Sequence, residues 1–268
     1  MRTWGRFVLA MELRKILAYR SDFWITFLGQ TFIQLFLGRA LWQSVFEAQN
    51  VTEMNGMSLD TITLYYLIAP IGTRILAGEN IGFISREIYE GTFSRYLIYP
   101  LSFFNYKTIT YLTYSLFYAS QLFILFILYS LIYLGHFPDL ATIGCALAGI
   151  ITFLLASVAC MSISMSIELL ALWADNIWSL MVSFRFFMSF LGGAFIPLVF
   201  FPEWAKKILE YTPFPYFVNF PIQTFMGNIS IHDWIRQASV LLLWILVCAM
   251  ISKLIWKKGQ YEYTGVGI

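Results

Sequence analysis

Two stretches of the sequence contain no charged residue over a length that exceeds the thickness of a bilayer. Residues 108–134 and 140–167 consist mainly of aliphatic, aromatic and small side chains. A helix needs about 20 mainly apolar residues to cross the hydrocarbon core. The chain as a whole is 59% hydrophobic and only 12% charged, about half the charged share of a typical soluble domain. The chain is therefore predicted to fold in a membrane.

Four further apolar stretches approach the same length, and two of them contain an internal arginine near the middle of the stretch. They lie at residues 23–46, 59–78, 176–195 and 234–256. Only helices and closed barrels satisfy their backbone polar groups inside a bilayer, and stretches of this length indicate helices. The sequence thus predicts an all-α, polytopic membrane protein with six transmembrane helices, which form one domain over residues 1–268.

Lysine and arginine lie mostly on one side of this predicted arrangement. If the N-terminus is cytoplasmic, that side receives Arg2, Arg6, Arg14, Lys15, Arg20, Arg86, Arg95, Lys107, Lys253, Lys257 and Lys258. The outer side receives only Lys206, Lys207 and Arg236. Cytoplasmic loops of membrane proteins carry the excess of basic residues. We therefore expect a multi-pass protein of the cell (plasma or inner) membrane with both termini in the cytoplasm.

Three segments do not fit a simple span. Residues 1–20 mix charges with an apolar stripe (Trp4, Phe7, Val8 and Met11), which predicts a helix lying in the inner interface. Residues 81–100 mix charges with apolar residues, which suits a short cytoplasmic helix. Residues 195–229 contain Pro197, Pro202, Pro213, Pro215 and Pro221. Because proline at that density breaks a continuous helix, we expect short outer re-entrant helices there.

The sequence contains no recognisable catalytic signature. The nucleotide-binding pattern GxxxxGK[ST], the metalloprotease pattern HExxH and the hydrolase pattern GxSxG are all missing. Cys145, Cys160 and Cys248 lie in apolar runs without metal-ligand spacing, and the net charge of +2 does not favour nucleic acid. We therefore expect no catalytic residue, no metal, no cofactor and no nucleic-acid partner for this chain.

Charged side chains inside a span are costly and are candidates for function. Arg185 lies near the middle of its stretch, and Arg74 lies four residues after Pro70. Either a role in a translocation path or a structural ion pair would explain an arginine at this depth. Glu168, near the predicted turn that follows residues 140–167, is interpreted as an interfacial carboxylate.

The order of three motifs on this frame resembles that of the ABC-2 type transporter permeases. Residues 88–100, with Glu90-Gly91-Thr92 and Pro100, are similar to the "REGT…LL.RP" segment that follows the second span of that family. Residues 192–216 resemble its "G.F.P…P.W…P" region, and residues 256–265 resemble its "G..YE..G" ending. The resemblance covers nearly the whole chain.

The resemblance implies the type V exporter fold and a division of labour between chains. Two separate ATPase subunits would bind ATP and Mg, and a second permease copy or a sister permease would complete the complex within membrane lipid. Each site would have its own set of residues: an ATPase-coupling helix with Arg86, Glu87, Glu90, Gly91 and Thr92; a translocation path with Arg185, Arg74 and Phe187; and an outer gate with Gly193, Pro197 and Pro202.

In that coupling helix, Arg86 and Glu87 would form a charged rim. The many phenylalanines around Arg185 suit a lipid-like, amphipathic or drug-like cargo, although they equally suit contact with lipid. An ion-coupled secondary transporter or channel is the main alternative, and a lipid-modifying membrane enzyme is a weaker one. Secondary transporters usually show internal repeats, and none is clear here.

Overall fold

The computed structural model describes residues 4–78, 81–98, 102–134, 138–174 and 176–262. Pro100 and the end of the C-terminal motif at 263–265 lie outside the described residues. The helices run in chain order as follows: α1 (Trp4–Ala18), α2 (Arg20–Gln49), α3 (Leu59–Ala77), α4 (Phe83–Tyr89), α5 (Arg95–Ile98), α6 (Phe103–Tyr129), α7 (Leu140–Glu168), α8 (Trp178–Leu191), α9 (Glu203–Leu209), α10 (Asn219–Phe225) and α11 (Ile231–Glu262).

Short elements complete the described chain. A small antiparallel hairpin, β1 (Glu53–Met54) and β2 (Met57–Ser58), joins α2 to α3. Turns of 3-10 helix lie at Thr92–Ser94, Leu169–Leu172, Leu198–Phe200 and Phe214–Tyr216, and a π-helical turn extends α6 over Ser130–Leu134. The prediction of a predominantly α-helical protein is therefore confirmed.

Three helical stretches of the described chain are long and apolar enough to cross a membrane. They are Phe103–Ile132, Leu140–Leu172 and Ile231–Tyr261. Helices α2 and α3 reach sufficient length with 30 and 19 residues but are less apolar, and α8 is apolar but has only 14 residues. The count of six spans remains a prediction.

Helix α7 lies at the centre of the bundle, with α3, α6, α10 and α11 packed around it. Small residues allow this close approach. A Cβ added at Gly149 would lie 2.5 Å from the Cα of Phe225 in α10, and one at Gly72 of α3 would lie 2.4 Å from the ring of Phe153. Glycine at both positions therefore sets the distance between α7 and its neighbours.

The C-terminal end of α3 is bonded to α6. The last carbonyls of a helix have no partner within it. Here the Ser115 hydroxyl of α6 donates to the Ile75 carbonyl at 2.8 Å, and the Tyr111 hydroxyl donates to the Leu76 carbonyl. Both residues of α6 are buried, so these bonds replace the water that the carbonyls would otherwise need.

Helix α1 packs on the bundle through a face that only partly matches the predicted stripe. Its buried residues are Val8, Glu12 and Ile16, whereas Phe7 is 74% and Met11 50% exposed. Of the predicted stripe, Val8 is buried, and the part with Phe7 and Met11 does not form the contact with the bundle. It remains available to lipid, and the interfacial position of α1 remains a prediction.

Candidate functional site

The first turn of the short helix α4 is capped by a carboxylate from a distant part of the chain. Glu168, at the end of α7, accepts hydrogen bonds from the backbone amides of Ile84 at 2.7 Å and Ser85 at 3.2 Å. The residue at the N-cap position is Gly82, with a φ of 98° and no side chain that could accept such bonds. Glu168 is 2% exposed and thereby fixes the start of α4 to the end of α7.

The middle of α4 is attached to α6 by a second buried carboxylate. Glu87 is 3% exposed, and its Oε2 lies 2.8 Å from the Nζ of Lys107, which is also buried. Its Oε1 accepts from the Tyr96 hydroxyl at 2.9 Å and from the Arg95 guanidinium. The Lys107 Nζ also lies 4.5 Å from the centre of the Phe83 ring.

This arrangement corrects the prediction for Glu87. The sequence suggested that Glu87 and Arg86 form a charged rim, but only Arg86 is exposed. Burial, and next the adjacent Glu87 carboxylate, raises the pKa of the Tyr96 hydroxyl. Tyr96 therefore remains a protonated donor, and Glu87 holds α4 and α5 together beneath their surface.

The opposite face of α4 is exposed. Arg86 Nε lies 2.7 Å from Glu90 Oε1, one helical turn away, and this pairing raises the pKa of the Arg86 guanidinium. Tyr89 is 56% exposed, and Thr92 is also exposed. Gly91, between Glu90 and Thr92, has a φ of 75°, which favours glycine at the turn that ends α4. We call Arg86, Tyr89, Glu90 and Thr92 the exposed α4 face.

A groove of about 410 Å³ lies beside this face, between α4 and the start of α8. Arg86 and Glu90 line one wall, and Trp178 and Arg185 of α8 line the other. Arg185 and Phe187 are both exposed. The structure thus brings Arg185, a predicted path residue, next to the predicted coupling residues.

Unlike Arg185, Arg74 is hydrogen-bonded to a neighbouring helix. Its guanidinium donates to the Gln30 side chain, at 3.1 Å through Nε, and to the Thr26 carbonyl at 3.4 Å, both in α2. It also lies 5.7 Å from the centre of the Tyr118 ring of α6. These contacts favour the structural explanation of Arg74 over a role in a path.

The predicted gate residues are attached to α3. Tyr65 donates to the Gly193 carbonyl at 2.8 Å, and Tyr66 donates to the Phe195 carbonyl at 2.6 Å. Gly193 has a φ of 95°, and a Cβ there would lie 2.9 Å from the Tyr65 hydroxyl. Pro197 is buried, whereas Pro202 is exposed at the start of α9. Of the predicted gate residues, Gly193 is thus bonded to α3.

A comparison with protein-family models decides the family. The model described as "ABC-2 family transporter protein" matches residues 30–267. The chain belongs to the ABC-2 transporter family. Comparisons with curated proteins and with solved structures gave no significant match. The resemblance found in the sequence motifs is therefore confirmed.

Membership defines the broad role of this ABC-2 protein. The family consists of membrane permeases of ABC transporters, which are generally non-catalytic subunits and work with ABC ATPase subunits. Together with the apolar helices, this places the chain in a membrane. Across the described residues, no group of three or more His, Cys, Asp or Glu comes together as metal ligands.

The sequence did not predict two residues that attach α4 to the bundle. Glu168 was interpreted as an interfacial carboxylate, and Lys107 was used only to orient the chain, yet both contact the buried side of α4. Each follows or precedes a long uncharged stretch. A single charge at the boundary of an uncharged stretch could have marked each residue as a candidate. Its partner could not be predicted from sequence spacing, because Glu168 and Ile84 are 84 residues apart.

Proposed function

We propose that this ABC-2 protein is the permease subunit of an ATP-driven exporter of a lipid-like, amphipathic or drug-like substrate. Two ATPase subunits bind ATP and Mg and dock on a pair of permeases, either two copies of this chain or this chain with a sister permease. The permease spans the plasma or inner membrane six times with both termini in the cytoplasm. In this proposal, closure of the ATPases pulls on α4 and opens a path outward.

The attachment of α4 is the observation that carries this proposal. An element that transmits force needs a free face for the partner and firm anchors in its own chain. The exposed α4 face supplies the first. The bonds of α4 to Glu168 of α7, and of its Glu87 to Lys107 of α6, supply the second. Exposed charges at the rim and an apolar residue such as Tyr89 between them suit a protein interface.

The connection through α3 supports a link between docking and gate. Helix α3, which has 19 residues, is bonded through Tyr65 and Tyr66 to Gly193 and Phe195, where the predicted outer segment (residues 195–229) begins. Its other end lies toward α4. At 1.5 Å per residue its length is about 28 Å. A displacement of α4 would therefore reach Gly193 and Pro197 through one helix. We propose Arg185 and Phe187 as path residues, because both are exposed on α8.

A charge reversal tests the docking surface. Glu90→Lys should lower both transport and cargo-stimulated ATPase activity of the reconstituted complex, because it changes the charge presented to the ATPase. The substitution also breaks the pair with Arg86, so the double variant Arg86→Glu/Glu90→Lys restores the pair with opposite polarity.

The double variant separates docking from local helix stability. If the exposed α4 face docks the ATPase, the double variant remains impaired although α4 has regained its internal pair. If the double variant recovers full activity, or Glu90→Lys alone retains normal stimulated ATPase activity, the docking assignment is wrong. Topology mapping of both variants confirms that the protein is inserted normally.

A further inference from the structure

Among the described residues that line the groove between α4 and α8, one positive charge has no counter-charge. Among the charged side chains that line it, Arg86 and Glu90 neutralise each other at 2.7 Å. Arg185 makes no ion pair or hydrogen bond with any described residue. The guanidinium of arginine stays protonated in proteins. The described lining therefore has a net charge of one positive unit, which is centred on Arg185.

The walls of the groove are aromatic and apolar on both sides of this charge. Phe83 and Tyr89 line the α4 side. Trp178 lies seven residues, or about two turns, before Arg185 and so shares its helix face, and its side chain is 65% exposed. A ligand here would meet the Arg185 cation next to aromatic side chains, with the Arg86–Glu90 pair, Ser85 and Asn176 also in the lining.

An aromatic row continues from Arg185 toward the outer segment. Phe186 is 53% exposed and stacks on Phe190 with ring centres 5.8 Å apart. The Phe190 ring lies 5.6 Å from that of Phe201, which precedes α9. Phe186 is turned about 100° from Arg185 around the helix, so these rings lie beside the groove and are not part of its lining.

We infer that the groove binds an acidic amphiphile, with a carboxylate or phosphate head on Arg185 and an apolar body against Phe83, Tyr89 and Trp178 in the groove walls. The inference rests on the proposed function in taking this ligand as the transported substrate. The planar guanidinium matches both kinds of head through paired hydrogen bonds. Ligand sites are typically clefts of about 300–1,000 Å³, and a groove of about 410 Å³ falls in that range.

Direct binding to the purified full-length permease tests the inference. Tritiated oleate is the probe, measured by scintillation proximity in nonionic detergent and competed with unlabelled oleate, oleyl alcohol or acetate. Unlabelled oleate should compete at least about tenfold better than oleyl alcohol, because the neutral head loses a charge-assisted contact. Acetate should not compete, because it lacks the apolar body.

Variants identify the residue that carries the charge dependence. Arg185→Ala should weaken oleate binding about tenfold and remove the preference over oleyl alcohol. Arg185→Lys should retain part of that preference. Arg236→Ala, which removes an exposed arginine at the start of α11, is the matched control and should bind oleate normally.

Three results would overturn the inference. The first is that oleyl alcohol displaces tritiated oleate as well as unlabelled oleate does. The second is that acetate displaces it although it has no apolar body. The third is that Arg185→Ala still prefers oleate over oleyl alcohol. Loss of permease pairing in Arg185→Ala with unchanged charge preference would likewise assign Arg185 to a contact between copies. Since binding is measured without an ATPase, failure of the proposed exporter would appear separately, as absence of oleate-stimulated ATP hydrolysis despite normal binding.

Discussion

Replacing Lys107 by methionine tests whether the buried pair beneath α4 holds this helix to the bundle. The side chains of Lys107 and Glu87 are 6% and 4% exposed. Removing one partner of a buried pair leaves an uncompensated charge and costs about 3–5 kcal/mol. Glu87 keeps Tyr96 and Arg95 as donors. We therefore expect Lys107→Met to lower the free energy of unfolding by about 3 kcal/mol, at the lower end of that range.

A double-mutant cycle separates the pair from the other contacts of each residue. Glu87→Gln combined with Lys107→Met removes both charges, while the glutamine can still accept from Tyr96. Because no buried charge remains unpaired, the double variant should recover at least half of the loss seen in Lys107→Met. Unfolding is measured by titration with sodium dodecyl sulfate in mixed micelles, followed by circular dichroism.

Lys253→Met is the matched control, since Lys253 is exposed on α11. It should change the free energy of unfolding by no more than about 0.5 kcal/mol. The reasoning is refuted if Lys107→Met costs less than about 1 kcal/mol, or if the losses of the two single variants add within about 0.5 kcal/mol. Either result would mean that α4 is held by its other contacts.

Three further substitutions test other contacts of the fold. Glu168→Ala should remove a helix cap worth about 1–2 kcal/mol, so the amides in the first turn of α4 should exchange hydrogen faster. Unchanged protection of these amides would show that Glu168 does not cap α4. Gly149→Ala should cost about 1–3 kcal/mol in the unfolding titration because its methyl group meets the backbone of α10, whereas Gly144→Ala has open space and should be nearly neutral. Tyr65→Phe should lower the free energy of unfolding by about 1 kcal/mol, because the hydrogen bond to the Gly193 carbonyl is lost. The control Tyr261→Phe, at an 82% exposed residue, should leave it unchanged. Equal effects of the two substitutions would argue against a stabilising bond at Tyr65.

The helical, membrane-bound character of the protein could be predicted from the sequence because it depends on local composition. The uncharged stretches at 108–134 and 140–167 lie within helices that are long and apolar enough to span a membrane. The order of the three motifs, at residues 88–100, 192–216 and 256–265, identified the family correctly, since it depends on the sequence alone. These features need no knowledge of which helices are neighbours.

The roles of individual charges could not be predicted in the same way. Glu87 and Arg86 are adjacent in the sequence and both charged, but only the structure shows that Glu87 points to α6 and Arg86 to solvent. Similarly, the predicted stripe of α1 has helical spacing, yet only its Val8 is buried, together with Glu12 and Ile16, while Phe7 and Met11 are exposed. In a membrane, apolar residues are stable against either protein or lipid, so hydrophobic periodicity alone does not identify the packed face.

The bonds between the end of α3 and α6 restrict how this protein can move. If α3 slid along α6, the Ile75 and Leu76 carbonyls would lose the hydroxyls of Ser115 and Tyr111 in an apolar interior, at a cost of several kcal/mol for each unsatisfied group. The two helices therefore form one rigid body at the C-terminal end of α3. A pull on α4 would tilt this pair as a unit, so the displacement at the outer segment would grow with distance from the pivot.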